Sequence, residues 1–185
     1  MASLALDPAY RGVSVREFFV MNFNGAKAEL VDGMVLMKVL DSPRHAAITA
    51  NLVATLGNRL RGTGCRPYGS DLAVRTGEAS IRFPDVSIYC RDDIADGTSE
   101  EKLLGVPRVI FEVLSPWTTS NDQIIKLAEY RALEGVAGIV FVDPEIERIR
   151  LVEPGAARDG AWLASGSDLD LPMLGITLPH AEIFE

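Results

Sequence analysis

The chain has 185 residues, 48% of them apolar and 24% charged, with a net charge of −8. That is enough for one domain with a substantial core, and no apolar run approaches the roughly 20 residues that span a bilayer. The acidity argues against a generic basic nucleic-acid binder, although acids gathered at a metal site also lower the net charge. The start, MASLALDPAYRGVSVREFF, has no basic segment followed by an apolar one, so no secretory signal is expected. Cys65 and Cys90 lack metal-type spacing, and the expectation is a reduced, cytoplasmic protein. A single domain over 1–185 is expected, with 1–13 a flexible N-terminal segment.

In chain order, Ser14 with Glu17 three residues on reads as a capping box that opens a short helix over 14–23. Residues 27–39 read as two strands joined at Asp32-Gly33, a hairpin signal. A helix follows over 42–62, with Ser42 as cap, Pro43 at its first position and Gly62 at its end. Ile48, Leu52, Leu56 and Leu60 give it an apolar stripe. Residues 65–76, 80–90 and 108–114 read as strands, and 91–105 as a surface loop with a short helix. A helix over 121–135, stopped by Gly135, leads into the apolar strand 137–144, which suits burial on both faces. Later strands are expected at 147–154 and 161–165, and a helical turn at 179–184. The order predicts an α/β or α+β fold with a mixed sheet flanked by helices. Strand 108–114, helix 121–135 and strand 137–143 form a βαβ crossover and hence a parallel pair.

The chemistry starts from RVIFEVLSP. Five apolar residues suit a central strand, but Glu112 does not, because a carboxylate buried there costs several kcal/mol unless paired, protonated or bound to a cation. In RFPDVSIY, Asp85 follows a proline that starts or bulges a strand. Two carboxylates on neighbouring strands can share a divalent cation, and oxygen-rich sites suit magnesium or manganese. Lys126, in the helix after the Glu112 strand, can reach back to polarise water or offset phosphate charge. Other readings stand beside these. Lys126 lies four residues after Asp122 and fits a surface ion pair. Asp85 fits a turn, and Glu112 fits a pair with a buried arginine such as Arg82. Arg44, Arg59, Arg61, Arg66, Arg75 and Arg82 are candidates for a local basic rim, though solvated surface is the simplest reading of each.

PDVSIY, FEVLSPWTTSNDQIIKLAEYRALEGV and IVFVDP, with ELVDGMVLM and SPRHAAITANL upstream, resemble the Uma-two family of restriction-endonuclease-like proteins, over roughly residues 14 to 184. The resemblance implies a PD-(D/E)XK nuclease-like, restriction-endonuclease-like fold. It implies Asp85 and Glu112 as metal ligands, the Val113 carbonyl as a third, and Mg2+ as the ion with Mn2+ as a substitute. Leu114 occupies the usual lysine position, and Lys126 matches the lysine displaced to the following helix. Glu29 and His45 match further positions, as an acid completing the site and as a phosphate-binding, water-holding or orienting group. A helix-terminal histidine bonded locally is the simpler reading of His45. His180 is assigned no role, and Ser115 is read as bonding the backbone rather than as a nucleophile.

The leading expectation is a metal-dependent endonuclease that hydrolyses DNA phosphodiester bonds through Asp85, Glu112, Lys126, Glu29 and His45. A homodimer is expected, since it supplies two sites for a double-strand cut. The alternative is a catalytically inactive nuclease-fold domain that binds nucleic acid or protein. A structural oligomer, and RNA or a nucleotide as substrate, also stand open at this point.

Overall fold

The computed structural model describes residues 11–38, 41–94, 103–115, 120–156 and 160–185. Helix α1 (Val15–Val20) opens as its sequence requires: Glu17 N–H donates to Ser14 Oγ at 3.2 Å, and Ser14 N–H donates to Glu17 Oε2 at 2.9 Å. Strands β1 (Ala28–Val31) and β2 (Met34–Met37) are joined by Asp32 and Gly33 at φ 47° and 79°. Positive φ at both positions is the geometry an Asp-Gly hairpin turn supplies. Helix α2 (Pro43–Arg59) is capped by Ser42 Oγ, which accepts from His45 N–H at 3.1 Å, and its buried face includes Ile48, Leu52 and Leu56.

Where single strands were predicted over 65–76 and 80–90, the structure has two in each: β3 (Cys65–Gly69) and β4 (Val74–Gly77), then β5 (Ser80–Arg82) and β6 (Val86–Cys90). Pro84 explains the second break, because it has no N–H to continue a ladder. Strand β7 (Val109–Val113), helix α3 (Ser120–Arg131) and strand β8 (Gly138–Asp143) form the expected crossover, with β7 and β8 parallel from Val109↔Gly138 to Val113↔Val142. Helix α3 ends before Gly135, which takes φ 108° in the turn that follows. Strand β9 (Arg148–Val152) is antiparallel to β8. The strand expected over 161–165 reduces to one bridge, Arg150↔Trp162, and the hairpin of β10 (Leu169–Leu171) and β11 (Ile176–Leu178) was not anticipated. Helix α4 (His180–Phe184) closes the fold. Within 91–105 a 3-10 turn covers Arg91–Asp93; 95–102 lies outside the described residues, as do 1–10 of the expected flexible segment. Of the remainder of that segment, Val13 N–H donates to Gly33 O at 2.8 Å.

A five-stranded sheet runs β3-β6-β7-β8-β9, and a four-stranded sheet runs β2-β1-β5-β4. Alternation in β7 sends Val109, Phe111 and Val113 into a core with α2, α4 and the β10–β11 hairpin. Ile110 and Leu114 go to a second core with Tyr130 and Leu127 of α3. The four-stranded sheet has its own core of Phe18, Leu30, Ala73 and Ile81. Contrary to the expectation of free thiols, Cys65 and Cys90 form a disulfide. The antiparallel register of β3 and β6 sets them directly opposite one another, which two residues 25 apart in sequence do not reveal. Disulfides are rare in reducing compartments, so the cysteines no longer support a cytoplasmic assignment. No helix among the described residues is long and apolar enough to cross a membrane.

Candidate metal centre

The alternation that buries Val109, Phe111 and Val113 on one face of β7 turns Glu112 to the other, toward α3. The β6–β7 register, Val86↔Phe111 and Ser87↔Ile110, extended by one step, sets Asp85 across from Glu112 on that same face. Asp85 sits where the chain passes from β5 to β6, and so from one sheet to the other. Its Oδ2 accepts from Val113 N–H at 2.7 Å and lies 3.3 Å from His45 Nε2. His45 is delivered by the first turn of α2, and its Nε2 also lies 3.8 Å from Asp41 Oδ1.

Glu112 is met from α3 on both oxygens. Lys126 Nζ lies 2.9 Å from Oε2, and Tyr130 Oη donates to Oε1 at 2.6 Å. Lys126 also lies 3.9 Å from Asp122 Oδ2, so the surface-pair geometry exists but is the longer contact. Glu29, from β1, accepts from Arg82 Nη1 at 2.9 Å and from Phe83 N–H at 3.2 Å, and lies 3.7 Å from Lys38 Nζ. Arg82 is 1% exposed, and its remaining donors form a fork on Glu129 of α3, both bonds 2.7 Å. Glu29, His45, Asp85, Glu112, Val113 and Lys126 thus line one pocket of about 200 Å³.

Burial pushes the Glu112 carboxyl up, and Lys126 does not fully offset it because Asp85 and Glu29 add like charge. Burial acts on Asp85 too, but its bond to His45, the charge of Lys38 and the Val113 amide hold it below the usual carboxylate range. Glu29 is likewise held low against its burial by Lys126, Lys38 and Arg82. Burial would lower His45, yet Asp85 and Asp41 raise it. Lys126 is raised despite its burial by Glu112, Glu29 and Asp122, so it stays an ammonium. The pocket therefore alternates fixed charges rather than collecting acids alone.

The donor atoms of Asp41, His45 and Asp85 lie within 4.8 Å of one another. Two carboxylates and an imidazole around a small polar pocket suit a hard divalent cation such as magnesium or manganese. Asp41 was missed in the sequence. Its signal was the four-residue spacing to His45 across the Ser42 cap. Arg82, for which solvated surface was the simplest reading and a buried pair with Glu112 the alternative, is buried between Glu29 and Glu129. It therefore does not serve as the partner of Glu112; Lys126 and Tyr130 do. Tyr130, four residues after Lys126 on the same helix face, was also not singled out. Ser115 lines the pocket. Arg44 and Arg59 carry ion pairs to Glu147 and Glu182.

The fold is that of a nuclease-like α+β protein. It is similar to the crystal structure of a putative nuclease belonging to DUF820 from Anabaena variabilis, with a TM-score of 0.78 and 15% sequence identity over 93% of this chain and 97% of that one. The family model Uma2, described as putative restriction endonuclease, matches residues 15–181, and the chain belongs to that family. No curated protein matches it.

Proposed function

We propose that the protein is a metal-dependent endonuclease that hydrolyses DNA phosphodiester bonds. The observation that carries this reading is the convergence, in one pocket, of Asp85 and Glu112 on one sheet face with the Lys126 ammonium against Glu112. Family membership supports a nucleic-acid substrate. Asp85, Asp41, His45 and Glu112 are the side chains that would hold the ion, with the Val113 carbonyl as a backbone candidate. A bound Mg2+ or Mn2+ would lower the pKa of a water and neutralise charge on the phosphoryl oxygens.

The residues of the chain have separable tasks. Lys126, held cationic, offsets negative charge as it builds on the phosphate and does not act as a base. Tyr130 fixes the Glu112 carboxyl on the side away from Lys126. Arg82 anchors Glu29 to α3 through Glu129, which sets the pocket wall. Without the ion, His45 Nε2 lies against Asp85 and orients it. We extend the reading to a homodimer, which would supply two sites for a double-strand cut and which sedimentation velocity tests. The exposed Leu36 and Met37 of β2 line the metal pocket and would stay clear of that contact.

The test is plasmid cleavage at low salt with magnesium or manganese, wild type against Glu112→Gln. Metal-dependent cutting by wild type and none by the variant is expected. Equal cutting by both proteins, or none with any divalent ion, overturns the reading. A second reading is favoured by one observation: both Glu112 oxygens already have protein partners, which suits a nuclease-fold domain that binds nucleic acid or protein without cutting. Duplex binding with no cleavage selects it.

A further inference from the structure

A second pocket, of about 810 Å³, opens at the C-terminal end of α2. Arg61, Arg66 and Arg91 line it with Tyr68, Tyr89 and Cys65, and among the described residues no carboxylate lines it. On a chain of net charge −8, three guanidiniums around one cavity without an acid need an explanation. Asp93 pairs with Arg108 at 2.5 Å, Glu182 with Arg59 at 2.6 Å, and Asp71 lies 3.3 Å from Lys27; Asp92, next to Arg91 in sequence, does not line the pocket. No ion pair joins Arg61, Arg66 or Arg91 to an acid among the described residues; Arg61 makes a 3.4 Å hydrogen bond to Asn58.

Tyr89 forms the buried wall of the pocket: it is 1% exposed, packed edge-on against Tyr68 at 5.6 Å, and its hydroxyl interacts with that of Ser87. The carbonyls at the end of α2 would repel an anion, but Leu60 O is already covered by Thr63 N–H at 3.1 Å and Thr63 Oγ at 2.8 Å. The disulfide sets the pocket's shape, because Arg66 follows Cys65 and Arg91 follows Cys90.

This pocket is connected to the metal centre. Between them, the face of α2 formed by Ala46, Thr49, Ala50, Val53 and Ala54 lines a trough that begins at Asp41, His45 and Asp85. Val53 belongs to the trough and to the arginine pocket alike. Small side chains let a sugar-phosphate strand lie close to the helix. With 17 residues, α2 is about 25 Å long at ~1.5 Å per residue, or about seven steps of a DNA strand at ~3.4 Å each.

We propose that Arg61, Arg66 and Arg91 form a phosphodiester-binding site that anchors nucleic-acid backbone at the far end of the α2 trough from the metal centre. The site deepens the nuclease reading and rests on it for the identity of the ligand as backbone rather than free phosphate. Its binding step needs no divalent ion.

The test is fluorescence anisotropy of a labelled DNA duplex longer than about 15 base pairs with EDTA present, over a series of salt concentrations. Wild type is compared with Arg61→Gln/Arg66→Gln/Arg91→Gln, and inorganic phosphate serves as competitor. Each phosphate that an arginine no longer neutralises should lower the slope of log K against log salt by about 0.9, and so weaken binding about eightfold at 0.1 M salt. Millimolar phosphate should compete poorly. Equal affinity and slope in the triple variant overturn the inference, whatever the plasmid assay shows, as does wild type that binds no duplex. Competition by phosphate as strong as by DNA overturns the backbone assignment. If wild type binds through the arginines yet cuts no plasmid, the nuclease reading falls and the anchor stands.

Discussion

Lys126 Nζ stands 2.9 Å from Glu112 Oε2, and both groups are buried. Removing one partner of such a pair leaves an uncompensated charge, at a cost of about 3–5 kcal/mol. Lys126→Met should therefore lower the free energy of unfolding by that order in urea titrations. Adding Glu112→Gln should recover part of the loss, so that the two changes are less than additive. Additive losses would mean that the pair is not coupled.

The His45–Asp85 contact gives a pH window. His45 is raised in the folded protein, so its contribution is complete below the ordinary histidine value of 6.5 and is lost as pH rises through its folded pKa. Asp85 is depressed, so its contribution is complete above the ordinary value of 3.8 and is lost as pH falls through its folded pKa. The metal-free stability difference between wild type and His45→Ala should peak between these two ordinary values and shrink on either side. A difference that does not change with pH would mean that His45 is neutral throughout. NMR titration of the His45 ring reads the same shift directly.

Manganese should stabilise the folded protein, since an ion that binds only the native state adds about 2.7 kcal/mol at a hundredfold excess over Kd. Asp85→Asn should abolish the shift in Tm, and Asp41→Asn should reduce it. A shift kept in Asp41→Asn but absent in Glu112→Gln would move the ion to the Asp85–Glu112 pair.

Arg82 neutralises two carboxylates from different elements, Glu29 and Glu129. Arg82→Met should cost at least as much as breaking a single buried pair, about 3–5 kcal/mol, and Arg82→Lys should rescue it only in part, because an ammonium lacks the planar fork. Chemical denaturation of both variants measures this. Full rescue by lysine would reduce the fork on Glu129 to a point-charge contact.

The strand glutamate and the acid after proline were legible because each breaks a local pattern: Glu112 interrupts an apolar strand and Pro84 fixes where Asp85 begins. Lys126 obeys its helix pattern, and its place after the Glu112 strand and the family resemblance singled it out. Other residues that obey their local pattern stayed silent or were paired wrongly. Asp41 precedes a helix cap, where an aspartate is ordinary. Arg82 was named as a buried candidate but with the wrong partner, because in a strand so short alternation does not tell which carboxylates it meets. Tyr130 looks like any core aromatic until its hydroxyl is seen on Glu112. The Cys65–Cys90 bond was hidden for a different reason: cross-strand partners depend on register, and the expected strands 65–76 and 80–90 ran through the turns that set it. The βαβ crossover, by contrast, followed from three consecutive elements and needed no long-range information.

The break at Phe83, Pro84 and Asp85 also bears on how the molecule comes apart. The four-stranded sheet keeps its own apolar core, and between Arg82 and α3 its attachment is polar: Arg82 and Thr76 both hold Glu129. Such a unit can open while the main core stays closed. In hydrogen exchange of the apo protein, the amides of Ala28–Val31 and Ser80–Arg82 should open together, ahead of Val109–Val113 and Gly138–Asp143. Glu29 and Arg82 would leave with that unit, while Glu112 and Lys126 stayed with the main core.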